Sequence, residues 1–351
     1  MNIVLSYLEY NWQRLQLDRF GSIANLFSVV HTPRFHSSSH IIFFILSAHL
    51  SDPILIAKIP RMAGDSCRLD REASILRKIQ AIREGGFSSI PCLIAYEDWK
   101  NHRILLETVV KGRIMRPSLV RHQPEVCLQK AIYWLLDVQK ASAVSCKDKP
   151  RWFEDLFEFP IESIKKSLPL VDKEHRMIKR AKELVEPLRY RRIPLVFEHG
   201  DFSAPNVLIQ QNASIGVVDW ELAEPVGIPC ADLFFFLTFV AFSRHSAKNN
   251  NDYLKAFQNA FFLPNGWSFP YILLYCEKLK IALDLLKPLF VLTWTRYVAN
   301  IVMRLKDIYT SNEVLSCETT EWLRSNRYYL LWRYAIEFID EFCGDIHGRI
   351  S

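Results

Sequence analysis

The sequence predicts an α+β chain in two lobes, a small antiparallel sheet with one helix followed by a larger, mainly helical lobe. Three observations predict it. Short apolar runs separated by polar turns fill the first hundred residues. One amphipathic segment with helical spacing interrupts them. Beyond about residue 113 helical periodicity takes over, broken by one strand-rich stretch with an unusual set of polar residues, Phe197 to Glu221.

The elements follow in order. Ser22 to Val30, His40 to Ala48 and Pro53 to Ile59 read as three strands with short connections, hence an antiparallel meander. In the next segment Leu69, Ala73, Leu76 and Ile79 recur at the spacing of one helix face, and "GGFSSIP" ends it. Cys92 to Trp99 and His102 to Val110 read as two further strands. The predicted boundaries are a first lobe over 1–106, a connection over 107–112 and a second lobe over 113–351. In that second lobe Pro124 to Ser142 reads as a strong helix, with Val126, Ala131, Leu135, Leu136 and Val138 on or near one face. Phe159 to Leu188 reads as one or two more.

Composition narrows the function classes. The chain has 351 residues, half of them hydrophobic, and a net charge of +6, which is mild at this length. No run of five or six basic residues marks a nucleic-acid or membrane patch. The densest basic spot, Arg189 to Pro194, reads as a solvated loop before a strand, with help in binding an anionic substrate as the alternative. The eight cysteines form no CxxC pair, so a zinc site is not expected and free thiols in a reducing compartment are. The N-terminus lacks the pattern of a signal peptide. The apolar run Leu233 to Phe242 is about half of what a bilayer requires, so it reads as a buried helix. The expectation is a cytoplasmic protein with no membrane span and no nucleic-acid partner.

The chemistry concentrates in "FEHGDFSAPNVLIQQNASIGVVDWE". A strand ending at His199, a loop, and a hairpin turning at "QNAS" bring Asp219 back toward Asp201 and Asn206. Two carboxylates and a carboxamide oxygen are hard ligands that suit Mg²⁺, whose shell phosphate oxygens and water complete. "HGDFSAPN" also has the spacing His-x-Asp-x-x-x-x-Asn, the catalytic-loop pattern of protein kinases. There the Asp accepts the proton of the attacking hydroxyl, the Asn holds a metal, and a later Asp holds a second one.

On these residues the chain resembles the aminoglycoside phosphotransferase and choline kinase group of small-molecule kinases. "HGDFSAPNVLI" is similar to their signature, as is the downstream "GVVDWELAEPVGIPCADL". Gly200 stands where protein kinases have Arg, and "DWE" replaces Asp-Phe-Gly. The resemblance implies a two-lobed protein-kinase-like fold and transfer of the γ-phosphoryl group of Mg-ATP to a hydroxyl of a small molecule. It implies that Asp201 is the base, that Asn206 and Asp219 bind metal, and that His199 and Asp232 support the loop. It further implies a strand lysine on the nucleotide phosphates, paired with a helix glutamate. Lys58 and Glu72 meet that demand in the right order. Glu107 to Val110, including Val109, are expected to pair with the base through their main chain. Glu221 is a further candidate for metal contact.

One feature departs from the kinase pattern. The turn "HTPRFHSSSH" contains no glycine, so Ser37, Ser38 and Ser39 are the expected phosphate donors in place of a Gly-rich loop. The acceptor is expected on the helices after Asp232. From Ala241 to the end there are 11 acidic and 13 basic residues, a balance that does not suit a polycation. Aromatic residues abound there, among them Trp267, Tyr271, Tyr275, Trp294, Tyr297, Tyr328, Tyr329 and Trp332, and they read either as core or as a cage for an ammonium group. The alternative to an enzyme is a nucleotide-binding pseudokinase acting as a regulatory module. A metal-dependent phosphohydrolase would leave Lys58 and Glu72 unexplained, and a protein kinase would need an activation segment that is absent after Asp219.

Overall fold

The computed structural model describes residues 2–32, 40–48, 51–62, 64–211, 214–264, 266–309 and 314–342. The chain divides into two compact units, residues 1–113 with 208–223, and residues 114–207 with 224–351. The first unit therefore includes a returning segment from the middle of the sequence.

The first unit opens with a helix α1 (Ile3–Asn11), followed by strands β1 (Leu26–His31), β2 (His40–Ser47) and β3 (Leu55–Pro60), helix α2 (Cys67–Gln80), and strands β4 (Leu93–Trp99) and β5 (His102–Thr108). The five strands form one antiparallel sheet in the order β1-β2-β3-β5-β4. The meander and the helix over 67–80 lie where the apolar runs predict them. Helix α1 is new: the sequence reading gave its residues no element.

Alternation along the strands divides the labour of the two faces, because successive side chains point to opposite sides. Leu55 and Ala57 of β3 and Ile104 and Leu106 of β5 pack in one cluster with Val4, Tyr7, Leu8 and Trp12 from the N-terminal segment. Leu105, of the opposite parity, packs with Leu69 and Ala73 of α2. Lys58 and Glu107 share the parity of Leu105, so period-2 geometry sends both to the α2 side. The helix face they meet is buried and carries Glu72 among its apolar residues.

Next come β6 (Arg113–Ile114), α3 (Pro117–His122), α4 (Pro124–Ser142), β7 (Val144–Ser145), α5 (Phe159–Ser167), α6 (Asp172–Val185), β8 (Pro194–Glu198), β9 (Val207–Ile209), β10 (Ile215–Val217) and β11 (Glu224–Gly227). The rest is helical: α7 (Ala231–Arg244), α8 (Asn250–Phe261), α9 (Phe269–Leu279), α10 (Leu286–Tyr309), α11 (Cys317–Ser325) and α12 (Arg327–Glu337). In the second unit β11, β8 and β7 form a small sheet. Helix α10 packs against α5, α6, α7 and α12. Its Phe290 lies in an aromatic core with Phe234, Phe257, Phe261 and Phe342, at centroid separations of 4.3–5.7 Å.

Two expectations need correction or comment. Val126, assigned to the buried face of α4, is 43% exposed; Cys127 and Leu128 are buried instead. Arg189, in the basic spot, is surrounded by carboxylates: Glu154 at 2.8 Å, Glu186 at 3.0 Å and a close contact to Glu158. Its charge is therefore matched locally. No helix among the described residues is long and apolar enough to cross a membrane, and α7, the most apolar candidate, is buried along most of its length.

Candidate active site

The first unit assembles a buried charge cluster on the α2 side of the sheet. Lys58 Nζ lies 2.5 Å from Glu72 Oε1 and 3.2 Å from Glu107 Oε1. All three residues are almost without exposure, at 4%, 0% and 4%. Burial alone would push the ammonium's pKa down, but Glu107, Glu72 and Asp219 together raise it, so Lys58 is held as a cation.

Asp219 follows β10 and takes a left-handed backbone, φ +67°, which Asp tolerates better than most residues. The turn is tied to α2, because the Trp220 amide donates to Glu72 Oε1 at 3.3 Å and the buried Trp220 indole donates to Val217 O at 3.2 Å. Gly216 on β10 is a place where only glycine fits: a Cβ would come 2.3 Å from Val110 Cγ1. Glu221 lies 3.5 Å from Arg68 Nη1 and 3.6 Å from His40 Nδ1. Burial and Lys58 hold His40 down to about 4, so it is neutral at pH 7.

Glu107 makes a side-chain contact that the sequence did not announce. The expectation was a main-chain contact to a base. The residue lies inside β5, and its side chain reaches Lys58. The available signal was a charged residue closing the apolar run Ile104 to Leu106 at the same strand parity as Leu105. Val109 is half-buried just beyond β5. Ser37, Ser38 and Ser39 lie outside the described residues.

The second unit contains the loop after β8. His199 and Gly200 donate their backbone N–H groups to Asp232, at 2.7 and 3.0 Å. Gln139 donates to the same carboxylate at 3.2 Å and accepts from the Tyr275 hydroxyl. Burial and nearby Glu198 push Asp232 up to about 7, against the two N–H bonds and Arg296, which pull it down. Glu198 itself pairs with buried Arg296 at 2.6 Å. His199 accepts the Asp201 amide on Nδ1 at 3.2 Å, so it shapes the loop from within.

Asp201 and Asn206 are brought together. Asn206 Nδ2 donates to Asp201 O at 3.1 Å and Asp201 Oδ2 at 3.0 Å, which turns its Oδ1 away from Asp201. Burial raises the Asp201 pKa against Arg304, Asn206 and Ser203. A carboxylate tuned upward is a stronger base than a free one. Phe202 anchors the loop between rings, 5.3 Å from both Trp134 and Phe236.

Half of these aromatics are core: Tyr275, Trp294, Tyr329 and Trp332 are buried. Tyr297 and Tyr328 differ. They stack on Phe235, at 4.8 and 5.9 Å, and both feel the charge of Asp201. Among the described residues no group of three or more His, Cys, Asp or Glu side chains forms a ready-made metal site.

Residues 51–269 match the model of the phosphotransferase enzyme family APH. Comparison with curated protein sequences gives no match. Among solved structures, the choline kinase LicA from Streptococcus pneumoniae is similar at 9% identity and TM-score 0.55, over 94% of this chain and 99% of that one. The macrolide 2'-phosphotransferase MphH from Brachybacterium faecium matches at 14% identity and TM-score 0.42, over 84% and 97%. An aminoglycoside phosphotransferase from Alicyclobacillus acidocaldarius matches at 13% and 0.40, over 89% and 90%. With a family model spanning more than half of its length, and the fold shared with a choline kinase, the chain belongs to the phosphotransferase enzyme family and has the fold of a small-molecule kinase.

Proposed function

We propose that the protein transfers the γ-phosphoryl group of Mg-ATP to a hydroxyl group of a small molecule. The observation that carries this reading is the buried Lys58–Glu72 pair at 2.5 Å. Its ammonium is held charged in a dry site, which suits a group that meets phosphates.

The roles follow from chemistry. Lys58, oriented by Glu72, offsets charge on the α- and β-phosphates. Asp201 orients the acceptor hydroxyl and takes its proton as the new O–P bond forms and the bond from Pγ to the ADP oxygen breaks. Asn206 Oδ1 and the Asp219 carboxylate are hard oxygen donors that fit Mg²⁺, which when bound neutralises phosphate charge. Glu221 is engaged with Arg68 and His40, so we leave it out of the metal set. Placement and charge neutralisation supply the catalysis. The pseudokinase alternative expects one of these residues to be lost, and none is.

Tyr297 and Tyr328 are our candidates for the acceptor side, through their electrostatic link to Asp201. Arg304, which acts on the same carboxylate, disfavours a polycationic acceptor. The test is ADP release with a panel of hydroxylated sugars, amino alcohols and amino acids. Asp201→Asn is expected to lower turnover by about 10²–10⁴-fold, the usual contribution of a general base, with nucleotide affinity nearly unchanged. Full turnover in that variant would remove Asp201 from the base role.

A further inference from the structure

The phosphate chemistry calls for one carboxylate on Lys58, and this protein gives it two. Glu72 Oε1 sits 2.5 Å and Glu107 Oε1 3.2 Å from the ammonium. The second oxygens of both carboxylates are buried and have no hydrogen-bond partner among the described residues. An additional ionised carboxylate in a dry site is costly unless something compensates it. Lys58, one positive charge, is the group that does so here, and it serves Glu72 as well. Nucleotide phosphates need the same ammonium, and any phosphate oxygen that approaches it also approaches the Glu107 carboxylate. Like charges at that range repel in a low-dielectric setting.

Resting on the assignment of Lys58 to nucleotide phosphates, we propose that Glu107 is a built-in competitor of the nucleotide: its carboxylate occupies Lys58 in the empty enzyme and must give it up when phosphates bind. Glu107 is thus a positioning residue that sets how readily Lys58 is released. It stands on β5, opposite Ile56 and two residues beyond Leu105, the partner of Lys58. That register places its carboxylate beside the ammonium.

The charged groups around it define the pH window. Lys58 faces it from β3 and Glu72 from α2; Asp219 acts on Lys58 from beyond β10. His40, at the start of β2, is neutral there. Burial raises Glu107, Lys58 opposes, and Glu72 adds to the rise, leaving it at about 7. The competitor is therefore more protonated at pH 6 than at pH 8, and nucleotide binding takes up protons as pH rises through that interval.

Calorimetric titration of the full chain with Mg-ADP at pH 6 and pH 8 tests this. The wild type is expected to bind about tenfold more weakly at pH 8, the effect of one opposing charge. Glu107→Gln is expected to match the wild type at pH 6 and to exceed it about tenfold at pH 8. Its own small pH trend reports the titration of the ligand. Glu72→Gln is expected to weaken binding at both pH values. Glu107→Met repeats the experiment without a polar group, and the wild-type series stands even if both variants fold poorly. Wild-type binding that ignores pH, together with a Glu107→Gln affinity no higher than wild type at pH 8, would overturn the proposal alone. No binding by the wild type or any variant would overturn the assignment of Lys58 to nucleotide, and the proposal with it.

Discussion

Asp232 illustrates how one buried carboxylate can hold a loop in place. It accepts the amides of His199 and Gly200 and the carboxamide of Gln139. Asp232→Ala leaves these donors unpaired in the interior, at about 1–3 kcal/mol for each unsatisfied group. A loss of at least about 2 kcal/mol in urea unfolding is expected, with faster amide exchange at His199 and Gly200. The pH dependence has a definite sign. The folded-state value of about 7 lies above the usual carboxylate range, so the folded protein binds more protons between roughly pH 4 and 7. This residue's contribution therefore declines as pH rises through that window and is level above it. Asp232→Asn should show a shallower slope of stability against pH in the same window; an unchanged slope would assign the titration elsewhere. At this scale the sequence was legible wherever spacing encodes a contact, as in the Lys58–Glu72 and Asp201–Asn206 pairs. It was illegible where a side chain's partner is set by strand register, as at Glu107, because register is a property of two strands at once.

Helix α1 is the element the sequence concealed, and its composition explains why. "IVLSYLEYN" is apolar around most of its circumference and too short to display a stripe. Its one local cue is Asn2, whose side chain caps the helix by accepting the Leu5 amide at 2.9 Å. Yet Val4, Tyr7, Leu8 and Trp12 form part of the core on the sheet face opposite α2. Trp12→Ala should cost about 3–5 kcal/mol, as for other buried aromatic residues, read from urea unfolding followed by sheet circular dichroism. A loss below 1 kcal/mol would mean the sheet holds its core without α1. The longer elements were legible because they repeat their signal. Helix α4 spans the predicted residues, and its error at Val126 is one of facing. The strands of the meander announce themselves by apolar runs between polar turns, whereas β9 and β10, three residues each, were found only because the motif lies at their ends.

At the scale of the molecule, the two units hold different residues of the proposed chemistry. The first holds Lys58, Glu72, Glu107 and Asp219; the second holds Asp201, Asn206 and their support from Asp232. Kinase fold and phosphotransferase family were both readable from one 25-residue stretch plus a lysine and a glutamate, since each residue type there answers a demand of phosphoryl transfer. The acceptor was not readable, because aromatic residues at helical spacing look alike whether they fill a core or face a ligand. Trp294 and Trp332 are fully buried, whereas Tyr297 and Tyr328, packed on Trp294, keep partial exposure. The central claim is a magnesium-dependent nucleotide site, and the most direct test is the melting temperature against ATP concentration, with and without Mg²⁺, for the wild type and Asp219→Ala. A ligand that binds only the folded state stabilises it by about 2.7 kcal/mol at a hundredfold excess over Kd, so a rise of several degrees that requires Mg²⁺ and is lost in the variant is predicted. A wild-type melting temperature that does not move with Mg-ATP, or a shift that Asp219→Ala retains in full, would contradict it.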